Sequence, residues 1–140
     1  MKNQVTRILS IGIALVAVAT VHAQDKTVTA NVPFRFYVGS SLMPQGVYRV
    51  SDTSHGTMLY LRSMDSDAAK AVMARNIVGK LENEPARLVF HCYGQNCFLA
   101  EIWSGDKPTG GAISPSQHER EIAQAGEAPT LAVIRIASPQ

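Results

Sequence analysis

The sequence lacks the motifs by which many enzymes are recognised. Residues 105–111 have the glycine spacing of a phosphate-binding loop, but a glycine and an alanine stand where that loop needs a lysine and a hydroxyl residue. There is no nucleophile-elbow motif, and the nearness of Ser116, His118 and Glu119 in sequence does not indicate a catalytic triad, whose members meet in space. We therefore assign no catalytic residue, expect no cofactor and favour a non-catalytic protein.

Charge of one sign is equally scarce. The chain has 13 basic and 11 acidic residues and no block of like charges. If the first 23 residues are removed, Lys2 and Arg7 are lost and the remainder is neutral with its histidines uncharged. Nucleic-acid binders normally have a basic excess or stripe, and attraction to a membrane surface needs basic runs. We therefore expect neither a nucleic acid nor a membrane as partner, and leave an unknown protein or small ligand open.

The first 23 residues have the features of a secretory signal peptide. Lys2 and Arg7 precede an apolar run from Ile8 to Val21, and Val21-His22-Ala23 suits a cleavage site. The run is shorter than the roughly 20 apolar residues that a membrane span needs. We predict a signal peptide over residues 1–23 and a single domain over residues 24–140, exported to the periplasm or the extracellular space.

The rest of the sequence alternates apolar and polar residues over short stretches. The strongest alternation extends from Thr27 to Val38, where Pro33 indicates a break between two strands because proline cannot donate to a β-ladder. Similar runs, separated by turn-rich segments, are residues 47–51, 57–63, 86–93, 96–103 and 130–137. Short strands at this spacing predict an all-β domain, a small antiparallel β-sandwich or partly open barrel.

Two segments leave room for helix. Residues 68–78 are rich enough in alanine for a helix, but the β-rich context favours a strand. Ser116 and Glu119 have the spacing of a capping box, which predicts one short helix near the C-terminus, to about Ala125. If both segments were helical, the fold would be α+β instead.

Short motifs cover most of the sequence after the predicted signal peptide. They are Val32-Pro33-Phe34, Phe36, Val38-Gly39, Pro44, Gly46, Tyr48, Val50, Val89-Phe90, Tyr93-Gly94, Phe98-Leu99, Ile102-Trp103, Gly110, Ser116 and Glu119-Arg120. Together they resemble a family of small exported bacterial proteins of unknown function. That pattern has Leu-Pro-Ala-Gly before the tyrosine, where this chain has Met43-Pro44-Gln45-Gly46. The resemblance implies export and a compact β-rich domain, and it implies no catalytic residue. The cysteines are not part of the pattern.

Cys92 and Cys97, the only cysteines, flank Tyr93-Gly94-Gln95-Asn96. With Gly94-Gln95 as a two-residue hairpin loop, the cysteines become a directly opposed pair with Cα atoms about 4.5 Å apart. This separation lies within the range of about 4.4–6.8 Å that a disulfide tolerates, and exported proteins meet an oxidising compartment. We therefore predict a Cys92–Cys97 disulfide, not a redox centre, since a redox pair usually has C-x-x-C spacing at a helix N-terminus.

A metal site at the hairpin is not favoured. Adjacent strand residues point to opposite faces, so His91 faces away from Cys92. Two thiolates supply only half of a tetrahedral shell. We predict no metal site.

The predicted hairpin is apolar on both faces. One face has Leu88, Phe90, Leu99 and Trp103, and the other has Val89, Phe98 and Ile102. Two apolar faces indicate a central strand pair or a patch that a partner covers. Because the cysteines belong to the first face, we expect any function on the second, with His91, Tyr93 and Phe98 as the candidate interaction surface.

These observations predict an exported, non-catalytic β-rich domain with an interaction or structural role. The alternative is an exported enzyme or small-ligand carrier whose site is assembled only by the fold. Its parts would be His91, Tyr93, Glu101 and residues 118–120. Convergence of these polar groups in one deep pocket would favour the alternative, and their dispersal over the surface would exclude it.

Overall fold

The computed structural model describes residues 27–53, 57–79, 84–105, 108–126 and 128–136, so the predicted signal peptide lies outside the described residues. The elements are β1 (Thr27–Val32), β2 (Phe36–Val38), β3 (Ser41–Met43), β4 (Gly46–Thr53), β5 (Met58–Ser63), β6 (Ala69–Met73), β7 (Arg75–Val78), β8 (Arg87–Tyr93), β9 (Asn96–Trp103), β10 (Thr109–Ala112), α1 (Gln117–Gln124) and β11 (Thr130–Arg135). Within these ranges, no helix has the length and apolar character that a membrane crossing requires.

The strands form two sheets. Sheet A has the order β1-β4-β5-β6, and sheet B has the order β11-β8-β9-β10-β7, with β2 pairing to β9 and to β3. The pairings are antiparallel except for the short parallel contact between β2 and β9. The predicted all-β class, with one short helix near the C-terminus, is confirmed.

The hydrophobic core lies between the two sheets. Alternation along β5 directs Leu59 and Leu61 inward and leaves Met58, Tyr60 and Arg62 outside. Phe36 joins the two sheets, since its ring lies edge to face with Tyr48 of sheet A and Phe90 of sheet B, at centroid distances of 5.1 and 5.4 Å. The Tyr48 hydroxyl donates to the carbonyl of Pro44, so this buried ring keeps its polar atom satisfied.

The ambiguous segment 68–78 forms two strands, β6 and β7, and they belong to different sheets. β6 pairs with β5 in sheet A, and β7 pairs with β10 in sheet B. The chain changes sheet at Ala74, whose N–H donates to the carbonyl of Thr57 at 2.9 Å. Both strands lie at sheet edges and are largely exposed, so few of their positions needed large apolar side chains. This explains the alanine-rich composition that made the sequence ambiguous.

The β8–β9 hairpin forms with the predicted register at its tip. Gly94 has φ of 60°, Tyr93 pairs with Asn96, and Cys92 pairs with Cys97 across a Cα separation of 4.0 Å. The predicted Cys92–Cys97 disulfide is present.

The face assignment of the hairpin was wrong beyond residue 99. Phe90 pairs with Leu99 but Val89 pairs with Glu101, so Ala100 is the extra residue of a β-bulge. One inserted residue exchanges the two faces of a strand. Ile102 therefore packs in the core, and Trp103 lies on the outer face of sheet B.

Candidate functional site

His91, Tyr93 and Phe98 lie on the outer face of sheet B, opposite the core and the disulfide. His91 and Phe98 are directly opposed across β8 and β9, as Tyr93 and Asn96 are one step nearer the turn. The cysteines point the other way, with Cys97 in the core and Cys92 packed against it. The prediction that the disulfide and His91 lie on opposite faces of the hairpin is therefore correct.

Helix α1 lies over these residues. Ser116 is its N-cap, and the Ser116 Oγ accepts a hydrogen bond from the Glu119 N–H at 3.2 Å. In a complete capping box the glutamate side chain would return to the N-cap backbone. Here the Glu119 carboxylate instead reaches the sheet and is only 5% exposed. The helix is thus capped as the sequence predicts, but its glutamate has a second, tertiary role.

The Glu119 carboxylate joins helix to sheet. Its Oε1 lies 3.3 Å from the Nδ1 of His91 and accepts a hydrogen bond of 3.3 Å from the hydroxyl of Tyr93. Burial raises the pKa of Tyr93, and the charge of Glu119 and the hydrogen bond to it raise that pKa further. Tyr93 is therefore protonated at neutral pH and serves as a donor. The His91 side chain is 33% exposed, so it is the open member of the group.

An aromatic stack completes the contact between helix and sheet. Tyr37 of β2 lies parallel to Phe98 at a centroid distance of 4.8 Å, a consequence of the register in which the two residues pair. The imidazole of His118 lies 5.2 Å from the Tyr37 ring and 5.7 Å from Phe98, and Tyr93 meets Phe98 edge to face at 6.0 Å. We call Tyr37, His91, Tyr93, Phe98, His118 and Glu119 the outer cluster.

Two of the three residues predicted as an interaction surface are covered. Tyr93 is buried and Phe98 is 2% exposed, so both contact α1 and its neighbours within the same chain. Only His91 remains partly open. Binding of a partner at these residues stays a prediction, and it would require access past α1.

The residues proposed for an enzyme separate into two groups. His91, Tyr93, His118 and Glu119 meet in the outer cluster, whereas Glu101 accepts a hydrogen bond from the Trp103 Nε1 at 2.8 Å and Arg120 is exposed on the helix. A histidine oriented by a carboxylate is half of a general-base arrangement. In this case the carboxylate, the tyrosine and the histidine bond to one another in a packed cluster, which suits a structural role. Within the described ranges, no group of three or more histidine, cysteine or acidic residues could hold a metal ion.

The outer face of sheet A is a different surface. Arg49 and Arg62 are directly opposed across β4 and β5, and Tyr60 follows on the same face. Their neighbours on that face are small, with Ser51 opposite Tyr60 on β4, and Ala69 and Ala71 of β6 opposite Arg62 and Tyr60. Arg49, Arg62 and both alanines are exposed, and Tyr60 is 39% exposed. We call Arg49, Tyr60 and Arg62 the arginine face.

Sequence reasoning missed the arginine face. In the sequence, Arg49 and Arg62 are ordinary polar positions of two alternating runs, 13 residues apart. Only the register of β4 against β5 makes them neighbours. A signal was nevertheless present, because two arginines stand at outward positions of alternating runs where threonine would favour a strand at least as well.

Comparisons with known proteins do not identify the chain. No protein-family model, no curated protein and no solved structure matches it. Function is therefore argued from the geometry of the two outer faces.

Proposed function

We propose that the protein is an exported, non-catalytic binding domain whose ligand surface is the arginine face of sheet A. The observation that carries the proposal is the open state of that face. Arg49, Tyr60 and Arg62 are solvent-exposed, and Met73 on the neighbouring strand β6 is 74% exposed. Exposed side chains that are large and apolar or charged, gathered on one rigid face, are typical of binding surfaces.

The packing of the outer cluster on sheet B supports a non-catalytic role. The polar groups that come nearest to a catalytic arrangement are bonded to one another beneath α1, with Glu119 accepting from Tyr93. Among the described residues, no buried side-chain nitrogen or oxygen lacks a hydrogen-bond partner. Active sites often keep polar groups incompletely satisfied for the substrate, whereas a satisfied network stabilises the fold.

The disulfide supports export. Cys92 and Cys97 are bonded, and disulfides persist in oxidising compartments outside the cytoplasm. The prediction of a signal peptide over residues 1–23 is independent of this bond, and the two agree.

Mass spectrometry of the protein recovered outside the cytoplasm tests the export part. We expect a chain that begins at Gln24 and is two hydrogens lighter than its reduced form. A full-length chain with free thiols in the cytoplasmic fraction would overturn export.

Co-sedimentation with insoluble cell-envelope material of the producing organism tests the binding part. We expect the purified protein to pellet with this material and the Tyr60→Ala variant to pellet less. Leu131→Ser is the matched control, since Leu131 is 62% exposed on the opposite outer face. The proposal fails if the Leu131 variant loses binding while the Tyr60 variant keeps it, or if the wild-type protein does not pellet at all.

A further inference from the structure

Arg49 and Arg62 of the arginine face are held side by side. They form a directly opposed cross-strand pair, a position at which Cβ atoms lie about 4.5–5.5 Å apart and like charges destabilise the sheet. In the part of the chain that the structure describes, no carboxylate lies within 4.0 Å of either guanidinium. Because β4 and β5 hold Arg49 and Arg62 in register, two positive charges lie close together on this face.

A second arginine pair in the same protein shows what compensation looks like. Arg87 and Arg135 are directly opposed across β8 and β11 on the outer face of sheet B. There Arg87 forms an ion pair with Glu84, and its guanidinium lies over the Trp103 ring, 4.9 Å from the centroid. Among the described residues, the fold thus gives one arginine of the sheet B pair a carboxylate partner and gives neither arginine of the sheet A pair one.

The described strands of sheet A place no carboxylate beside this arginine pair. Among the described residues of β1, β4, β5 and β6, no outward-facing position is an aspartate or glutamate. Asp52 of β4 lies opposite the buried Leu59, on the other side of the sheet from the arginines. Asp65 and Asp67 lie in the turn after β5, where the Asp65 Oδ2 accepts from the Val47 N–H at 2.9 Å. The positive charge of this face is therefore complementary to a ligand with carboxylate or sulfate groups. Guanidinium groups bind such groups in bidentate fashion.

Tyr60 narrows the class of ligand. Its cross-strand neighbours are Ser51 and Ala71, whose small side chains leave the ring accessible from the solvent side. The face of an exposed aromatic ring can stack against the apolar C–H face of a sugar ring. Arg62 lies two residues from Tyr60 on the same face, about 7 Å along the strand. A linear ligand with both sugar rings and anionic groups can therefore contact the ring and the arginine pair together.

We propose that the arginine face binds an acidic polysaccharide, through Arg49 and Arg62 to its anionic groups and through Tyr60 to a sugar ring. This inference rests on the proposed function, since it names the ligand class of the same surface. The expected partner is a uronate-bearing or sulfated glycan, which an exported protein meets outside the cell.

Isothermal titration calorimetry with polygalacturonate as the probe tests the inference on the disulfide-bonded protein. We expect binding that weakens with added salt, because surface charges are screened. The Arg49→Gln/Arg62→Gln double variant should bind about tenfold or more weakly. Tyr60→Ala should bind about three- to tenfold more weakly. Arg135→Gln is the matched control, because Arg135 is an exposed arginine of sheet B. This variant should bind polygalacturonate as tightly as the wild type does.

Three further probes separate the alternatives. Fully methyl-esterified polygalacturonate has the same backbone without charge, and equal affinity for it would overturn the role of the arginines. Polyglutamate and phosphatidylglycerol vesicles are anions without sugar rings. If either binds as tightly as polygalacturonate and Tyr60→Ala does not weaken that binding, the ligand is an acidic protein or a membrane. This result would overturn the proposal of a polysaccharide ligand.

The outcome for this inference is distinguishable from that for the proposed function. If polygalacturonate does not bind but envelope co-sedimentation still depends on Tyr60, the ligand class is wrong and the binding surface stands. If neither assay responds to variants of the arginine face, both proposals fail.

Discussion

The two outer faces of this β-sandwich have similar residue types, but α1 covers the aromatic side chains of only one of them. Each has aromatic side chains and a directly opposed pair of arginines. On sheet B, helix α1 covers Tyr93 and Phe98, and Glu84 pairs with one of the arginines. On sheet A, Tyr60, Arg49 and Arg62 remain exposed.

The difference teaches how a mostly polar helix can cover a sheet. The residue of α1 that is buried is Glu119, a carboxylate, and its neighbour His118 contributes an imidazole to the aromatic stack. The helix therefore adheres through hydrogen bonds and ring contacts and not through an apolar stripe. Burial of a carboxylate is tolerated because Tyr93 and His91 compensate it. On this basis the outer cluster is part of the fold, and the arginine face is available for binding.

The largest expected effect comes from truncating one aromatic ring on each face and comparing the two losses of stability. Phe98→Ala should lower the free energy of unfolding by about 3–5 kcal/mol, because Phe98 is buried beneath α1 and its removal leaves a cavity. Tyr60→Ala should cost about 1 kcal/mol or less, since Tyr60 is partly exposed. Urea denaturation followed by circular dichroism measures both. Similar losses at the two positions would contradict the assignment of a covered and an open face.

A smaller loss is expected when the buried carboxylate is removed. Glu119→Ala should cost about 2 kcal/mol, because the Tyr93 hydroxyl loses its acceptor in a buried position. Glu121→Ala is the control, since the Glu121 carboxylate accepts from the Gln117 Nε2 on the exposed side of the helix. The control should change stability by about 0.5 kcal/mol or less in the same denaturation assay. Equal effects would mean that Glu119 does not attach α1 to the sheet.

Alkaline pH should lower the free energy of unfolding through the buried Tyr93 of the outer cluster. The pKa of Tyr93 is raised in the folded protein, first by burial and then by Glu119, so the folded state holds this proton more tightly than the unfolded state does. The associated stability is complete below the unfolded pKa of about 10 and is lost as the pH rises through the folded pKa.

Unfolding midpoints measured from pH 8 to pH 11 check this dependence. The midpoint of the wild type should fall above about pH 10, and that of Tyr93→Phe should fall less steeply. Burial and then Asp65 also raise the pKa of Tyr48, so the slope should decrease further in a Tyr48→Phe/Tyr93→Phe double variant. If all three proteins show the same slope, neither tyrosine is coupled to folding.

The smallest expected effect comes from the open arginine pair, and it has the opposite sign. Arg62→Glu replaces a like-charge pair by an opposite-charge pair across β4 and β5 and should raise stability by about 0.5 kcal/mol. The same variant should lose binding of acidic polymers. Arg135→Glu should stabilise less, because Arg87 already has Glu84. A loss of stability in Arg62→Glu, measured by thermal unfolding, would show that the pair is not repulsive.

Much of the fold follows from local periodicity. Alternation predicted the strands on both sides of Pro33, the hairpin around Gly94-Gln95 and the Cys92–Cys97 bond, because each depends on residues a few positions apart. The helix start at Ser116 followed from the same kind of local rule. The β-bulge at Ala100 did not, and one inserted residue moved Trp103 from the predicted inner face to the outer face.

The candidate sites were predicted less well, for a physical reason. His91 and Tyr93 were assigned to the correct face, but nothing local indicates that Glu119 lies above them, 28 residues from His91. The partner of Phe98 in the aromatic stack, Tyr37, comes from a parallel strand contact that alternation does not predict.

By itself, the sequence determined which residues point inward along the regular stretches of strand, where the hairpin turn lies and that the two cysteines oppose each other. These properties depend on backbone geometry over two to five residues, which side-chain pattern controls directly. The tertiary structure alone decided that α1 covers Tyr93 and Phe98 on one outer face and that Tyr60 stays exposed on the other. That choice depends on strand order, on register and on one helix whose buried carboxylate finds its donors only when the whole chain has folded.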